Sequence, residues 1–196
     1  VLETLKRELC DCVSFDISVA FITASGIQVL AAILAELRDR GIPGRILTST
    51  YLNFNDPDAL GKLLEYPNIE TRVYQGDLHA KGYFFNKDQI STIIIGSSNL
   101  TQTALTCNKE WNILFRSFPD GRLYLQAKEQ YERLWSDEEA VLLTERWIAD
   151  YRRYLEEHPK PSQHRPSRAF KESPCGAASA DPDEVYSPED SPFRAR

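Results

Sequence analysis

Apolar residues recur along this chain with two periods, and the change of period marks out its elements. Leu2, Leu5 and Leu9 fall on one side of a helix over residues 2–11. Residues 15–21 alternate and then become wholly apolar, the pattern of a core strand. Thr23 and Ser25 are N-cap candidates for a helix over 26–40, with apolar positions at Ile27, Leu30, Ala31, Leu34 and Leu37 and a closing Gly41. Residues 45–49 give a second strand, and strand–helix–strand predicts a right-handed βαβ unit with a parallel pair. The loop 50–56 follows the C-terminal end of that strand, where open α/β sheets line their ligand crevice. Tyr51, Asn53 and Asn55 are therefore candidates to face a ligand, although Asn and Asp also build plain turns. A helix then runs from Asp56-Pro57 to about residue 65, and a third strand over 69–74 is broken by Gly76-Asp77.

The second half opens with a hairpin. A strand starting at His79 carries Tyr83, Phe84 and Phe85, turns at 86–89, and returns as a β-branched strand over 90–95. A short helix is predicted over 101–105, a strand over 110–115, and helices over 123–135 and 137–157. The last helix bears a stripe of Leu142, Leu143, Trp147, Ile148, Tyr151 and Leu155, and both closing helices read as packing helices. Trp111 is expected in the core and not as a stacking platform. From residue 158 the composition changes, with seven of the eleven prolines and few large apolar groups. This predicts one domain over 1–157 and a Pro-rich disordered linker or tail over 158–196.

Composition changes the picture in three places. About 155 residues suffice to bury a core without staples. No apolar run approaches the roughly 20 residues of a membrane-spanning helix, and no signal peptide is recognisable, so a cytoplasmic protein is expected. The chain begins with Val and contains no Met, which reads as a fragment. Its four cysteines, Cys10, Cys12, Cys107 and Cys175, lack a zinc spacing and are expected as reduced thiols. The net charge is −6, and the tail is balanced, so the deficit lies in residues 1–157. Non-specific grip on nucleic acid is mostly electrostatic. Binding would therefore need cations focused at a cleft, for which Lys81, Arg45, Arg72, Lys109 and Arg116 are the candidates.

The candidate chemistry lies between His79 and Glu110. His79 and Lys81 are two apart and share a face of their strand, as do Ser97 and Asn99 beyond the next one. The hairpin brings imidazole, ammonium, hydroxyl and amide together, an inventory for gripping a phosphate and attacking it. His-x-Lys, then Gly96-Ser97-x-Asn99, then Glu110 resembles the half-site of the phospholipase D superfamily. Residues 96–101 with 108–112 look most like the N-terminal phospholipase D-like domain of bacterial DEAD/DEAH-type helicases. The resemblance implies an α/β fold, a phospholipase D-like mixed sheet flanked by helices. It departs from the superfamily pattern at Asn86, where the motif has Asp.

On that resemblance His79 is the nucleophile that forms a phosphohistidine. Lys81 and Asn99 hold the non-bridging oxygens, Ser97 donates or orients, and Glu110 orients a histidine. Gly96, Ser98 and Thr101 are expected at the substrate, with free N–H groups of the short helix favouring an anion. No metal and no cofactor are called for. Because one His-x-Lys is present, the second imidazole would come from a second copy, and a two-fold homodimer is expected. The function read from this is a metal-independent phosphodiesterase, a nuclease acting on nucleic acid and on DNA first. It would be accessory to a helicase or restriction-like system, with a motor domain on the same full-length chain. The alternative is an inactive phosphate-binding or nucleic-acid-binding module that docks the motor. A phospholipid enzyme comes third, since neither an acyl-chain channel nor a basic membrane helix is evident. No nucleotide-binding P-loop motif is present.

Overall fold

The computed structural model describes residues 1–158. The tail expected over 158–196 lies, beyond His158, outside the described residues. The elements are α1 (Leu2–Cys10), β1 (Ser14–Val19), α2 (Ala24–Gln28), α3 (Ala31–Asp39), β2 (Gly44–Ser49), a 3-10 turn (Tyr51–Asn53), α4 (Pro57–Leu63) and β3 (Ile69–Tyr74). There follow β4 (Lys81–Asn86), β5 (Ser91–Gly96), α5 (Gln102–Thr106), β6 (Asn112–Ser117), α6 (Arg122–Trp135), β7 (Ala140–Leu142) and α7 (Glu145–Glu157). The strands form one mixed sheet in the order β6-β5-β4-β1-β2-β3-β7. The pairs β1–β2 and β2–β3 are parallel, and the remaining pairs are antiparallel.

The central strands are buried on both faces, and β1 alternates Phe15, Ile17 and Val19 with the buried polar Asp16 and Ser18. Phe15, Ile17 and Val19 of β1, with Tyr83 and Phe85 of β4, pack under α1–α4 and α7. Phe84, Ile93 and Leu47 face the opposite way, against Tyr124, Tyr131 and Trp135 of α6. Alternation along β4 thus decides what each residue can do. Lys81 is in phase with Tyr83 and Phe85, whereas Asn86 is in phase with Phe84 and belongs to the α6 face.

Four expectations change. The helix expected over 26–40 is two helices that meet at Val29–Leu30. Thr23 caps α2 through Gly26 N at 3.1 Å, and a Cβ on Gly26 would stand 2.0 Å from the Leu100 carbonyl oxygen. The first of the two is therefore seated on the 99–101 segment, while the second packs Ile33, Leu34 and Leu37 into the core. The helix expected over 137–157 begins as a strand, β7, paired with β3, and only Thr144, through Trp147 N at 3.1 Å, starts α7. The strand expected from His79 begins at Lys81. Trp111, expected in the core, is 88 % exposed, because it precedes an edge strand that has a neighbour on one side only.

Candidate active site

The rim at the C-terminal end of the three parallel strands is assembled by backbone bonds between distant segments. Leu100 N donates to Phe21 O (3.1 Å) and Thr23 N to Leu100 O (3.2 Å), so the segment after β1 and the segment after β5 are laced together. Asn99 completes the lacing, since its Oδ1 accepts from Phe21 N at 3.1 Å. A backbone N–H can only donate, which identifies the atom facing it as the carboxamide oxygen and turns the NH2 group of Asn99 elsewhere.

His79 stands on this rim. Although it precedes β4, Lys81 Nζ reaches its Nε2 at 2.6 Å. A lysine ammonium has donors and no acceptor, so Nε2 is the ring nitrogen that accepts from it. The lone pair suited to attack on phosphorus is thereby defined, and the ammonium that would hold a phosphate oxygen lies beside it. The His79 ring is flanked by Tyr51, with centroids 5.1 Å apart, and by Phe21 at 6.1 Å.

Ser97 Oγ donates to Glu110 Oε2, and Asn108 Nδ2 lies 3.3 Å from Glu110 Oε1. The carboxylate expected to orient a histidine is thus committed, in this structure, to Ser97 and Asn108. Gly96 lets β5 and the start of β6 approach, since a Cβ there would stand 2.2 Å from the Trp111 carbonyl oxygen. Ser98, expected at the substrate, is buried. Its Oγ accepts from Asn112 Nδ2 (2.8 Å) and its carbonyl oxygen from Tyr83 OH (2.8 Å). Thr101 caps α5, accepting from Ala104 N at 3.2 Å. Ser98 and Thr101 therefore shape the turn that carries Ser97 and Asn99. With only five residues, α5 is too short for a substantial macrodipole, and the anion site expected of its N-terminus is not built.

Of the cations that could focus charge here, Lys81 is at the rim and three others are engaged elsewhere. Arg45 bonds Asp16 (2.5 Å) and Glu132 (3.0 and 2.5 Å) on the α6 face. Burial lowers its pKa, but the hydrogen bonds to Glu132 and Asp16 outweigh that and raise it. Arg72 bonds Glu70 and the Trp135 carbonyl, and Arg116 faces Glu8. Asn86, at the other end of β4 from Lys81, is about 17 Å along the strand. It donates to Ser14 Oγ (2.7 Å) and to Asp16 Oδ2 (3.3 Å) and accepts from Tyr124 OH. Its departure from the motif touches the packing of α6 and not the rim.

Two rim residues were not singled out from sequence, Phe21 and Phe54. The signal for Phe21 was its position at the end of a core strand, where open sheets expose their ligand face. Phe54 lay inside a loop already singled out for Tyr51. Among the described residues no group of three or more His, Cys, Asp or Glu side chains is arranged to hold a metal ion, and no helix is long and apolar enough to cross a membrane. The described cysteines are free, and burial pushes the Cys12 thiol up to about 11.

Residues 11–135, more than half of the chain, match the family described as cardiolipin synthase, PLD-like domain. Among solved structures the chain is similar to NucT from Helicobacter pylori, with 23% identity and a TM-score of 0.59. It is also similar to Nuc from Salmonella typhimurium, a phospholipase D family member, with 20% identity and a TM-score of 0.57. Each alignment covers 72% of this chain and 90% of the other. A phosphatidylserine synthase from Haemophilus influenzae matches with 12% identity and a TM-score of 0.56, over 80% of this chain and 42% of that one. At these identities the likeness is one of fold. No curated protein matches the chain.

Proposed function

The chain belongs to the family described as cardiolipin synthase, PLD-like domain, and from that premise we propose that it is a metal-independent phosphodiesterase, a DNA nuclease working as a homodimer. The observation that carries the reading is the 2.6 Å contact of Lys81 Nζ with His79 Nε2. An incoming phosphate takes the ammonium as its counter-charge and meets the imidazole lone pair in the same approach. Nε2 forms the P–N bond, the scissile P–O bond breaks, and a second imidazole gives its proton to the leaving oxygen. Water then attacks phosphorus, the same imidazole takes the water's proton, and His79 is released. Lys81 and the Asn99 NH2 group neutralise charge on the non-bridging oxygens, so these steps draw on no metal. Ser97 and Glu110 form the polar wall beside them.

Among the described residues the other histidine is His158, stacked on Tyr154 at the end of α7 with ring centroids 4.4 Å apart. The proposed second imidazole is therefore the His79 of a second copy. Residues 96–101 and 108–112, which resemble the corresponding stretch of helicase N-terminal domains, support a role beside a helicase motor and hence DNA over lipid.

Hydrolysis of DNA and of a generic phosphodiester in excess EDTA, lost in His79→Ala, is the expected result. Acid-labile, base-stable labelling of His79 during turnover is expected with it. After subunit exchange, an equal mixture of wild type and His79→Ala should retain about one quarter of the activity and not one half, since each site needs two intact copies. An inert protein that still binds DNA would instead make the chain a docking module.

A further inference from the structure

The turn over Tyr51–Asn53, continued by Phe54, is built against His79, and the phosphoryl chemistry does not use it. Leu52 and Asn53 both have left-handed backbones, with φ of 53° and 55°. Asn tolerates that region, whereas Leu is strained there. Such strain persists only where the surroundings over-determine it, and it concentrates at ligand-handling segments. Asn55 supplies the determination here. It is 3 % exposed, accepts from Ile22 N at 2.6 Å, and donates to Ala20 O, Thr48 Oγ1 and Ser49 O.

What this arrangement presents is a run of aromatic rings at the rim. Phe21 is near-parallel to Tyr51, with centroids 6.0 Å apart and an interplanar angle of 24°, and is met edge-on by Phe54 at 5.3 Å. Phe21 is buried, but Tyr51 is half-buried and Phe54 is 37 % exposed. Support for the imidazole alone would need neither an outward Phe54 nor a strained backbone to position it. Electrostatics point the same way. The chain carries a net charge of −6, and Arg45, Arg72 and Arg116 are occupied by carboxylates. Backbone attraction at the rim is therefore left to Lys81 and the exposed Lys109, and aromatic stacking on bases adds a sequence-tolerant source of affinity.

Resting on the phosphodiesterase reading above, we propose that Tyr51 and Phe54 form a nucleobase-stacking subsite beside His79, which takes the substrate as a single strand. A base one sugar away from the phosphate at Lys81 would lie over the turn. Bases in a duplex are already stacked and paired, and they could reach it only after unpairing.

The test uses the full chain and oligodeoxynucleotides that carry 2-aminopurine, with binding read separately from cleavage. Wild type should quench the probe in a single strand and bind that strand about tenfold more tightly than the same sequence in a duplex or an all-abasic backbone. Tyr51→Leu combined with Phe54→Leu should lose about tenfold in single-strand affinity, and Tyr51→Trp should keep it. Thermal melts of each variant establish that the loss is not one of folding. Equal affinity for base-bearing and abasic strands in the wild type would overturn the subsite, as would a double variant weakened equally on both. Displacement of the strand by phosphatidylglycerol vesicles through the same two residues would also overturn it, giving the platform to an acyl chain. Because quenching needs no turnover, a chain that binds in this way without cleaving would refute the phosphodiesterase reading and leave the stacking subsite standing.

Discussion

Asn86 stands where the superfamily motif has an acid, and its neighbours account for the amide. Asp16 is 3 % exposed and paired with Arg45 and Lys128, and Arg45 and Lys128 in turn meet Glu132. Two cations and two carboxylates balance beneath α6. The Arg45 guanidinium, the largest influence on Glu132, outweighs desolvation and holds that carboxyl below its ordinary range. The Asn86 NH2 group donates into this balanced set towards Asp16 Oδ2. Asn86→Asp would replace that donor by an oxygen facing a carboxylate and leave the cluster one negative charge in excess. A loss of about 1–3 kcal/mol is expected, read as a lower midpoint in thermal or denaturant unfolding. An unchanged or higher midpoint would show that Lys128 and Arg45 accommodate a further anion.

At the scale of elements, α2 controls the rim through a single close approach. Gly26 lies against the Leu100 carbonyl and Thr101, the backbone that positions Asn99. Gly26→Ala should push that backbone away, loosen the Asn99–Phe21 bond and depress kcat more than tenfold, as misplacement of a catalytic group does. The helical propensity gained at an α2 position would not compensate, and an alanine variant with full activity would show that the 99–101 segment yields harmlessly. This contact also marks the limit of what the sequence disclosed. β2, β3 and the β4–β5 hairpin were legible because their apolar and β-branched runs have no competing helical reading. Of the four groups the hairpin was expected to gather, His79 meets Lys81 although it precedes β4, and Asn99 is held by Phe21. β7 was not legible, because Leu142 and Leu143 fit a helical stripe as well as a short strand, and pairing with β3 decides between them from seventy residues away. Trp111 is ambiguous for a related reason, since an apolar residue does not declare whether its strand is central or at an edge. The aromatic turn at 51–54 was legible as a loop, but its proximity to His79 depends on the tertiary fold.

Across the whole molecule, a buried carboxylate ties the N-terminal helix to β5, β6 and the β4–β5 turn. Glu8 of α1 accepts from Lys87 (2.9 Å) and Thr92 (2.8 Å) and also meets Arg7 and Arg116. Desolvation pushes its pKa up, but these hydrogen bonds and the charge of Lys87 prevail and hold it at about 2, below the ordinary 4.5. The unfolded chain binds this proton more readily than the folded one. The contribution, roughly 3 kcal/mol, is therefore complete above pH 4.5 and lost as the pH falls towards 2. Melting temperatures recorded from pH 6 to pH 2 should fall steeply below pH 4.5, and Glu8→Gln should flatten that segment of the curve. An unaltered slope in the variant would assign the acid sensitivity to other carboxylates. The geometry of β4 has a separate consequence. Its first residue serves the rim and its last serves the α6 cluster, on opposite faces, so the strand behaves as an insulator between reactivity and robustness. Effects at its two ends should combine additively. A lineage can therefore exchange the motif acid for an amide, or retune the charge beneath α6 for a hotter or colder habitat, without a trace in the chemistry at His79.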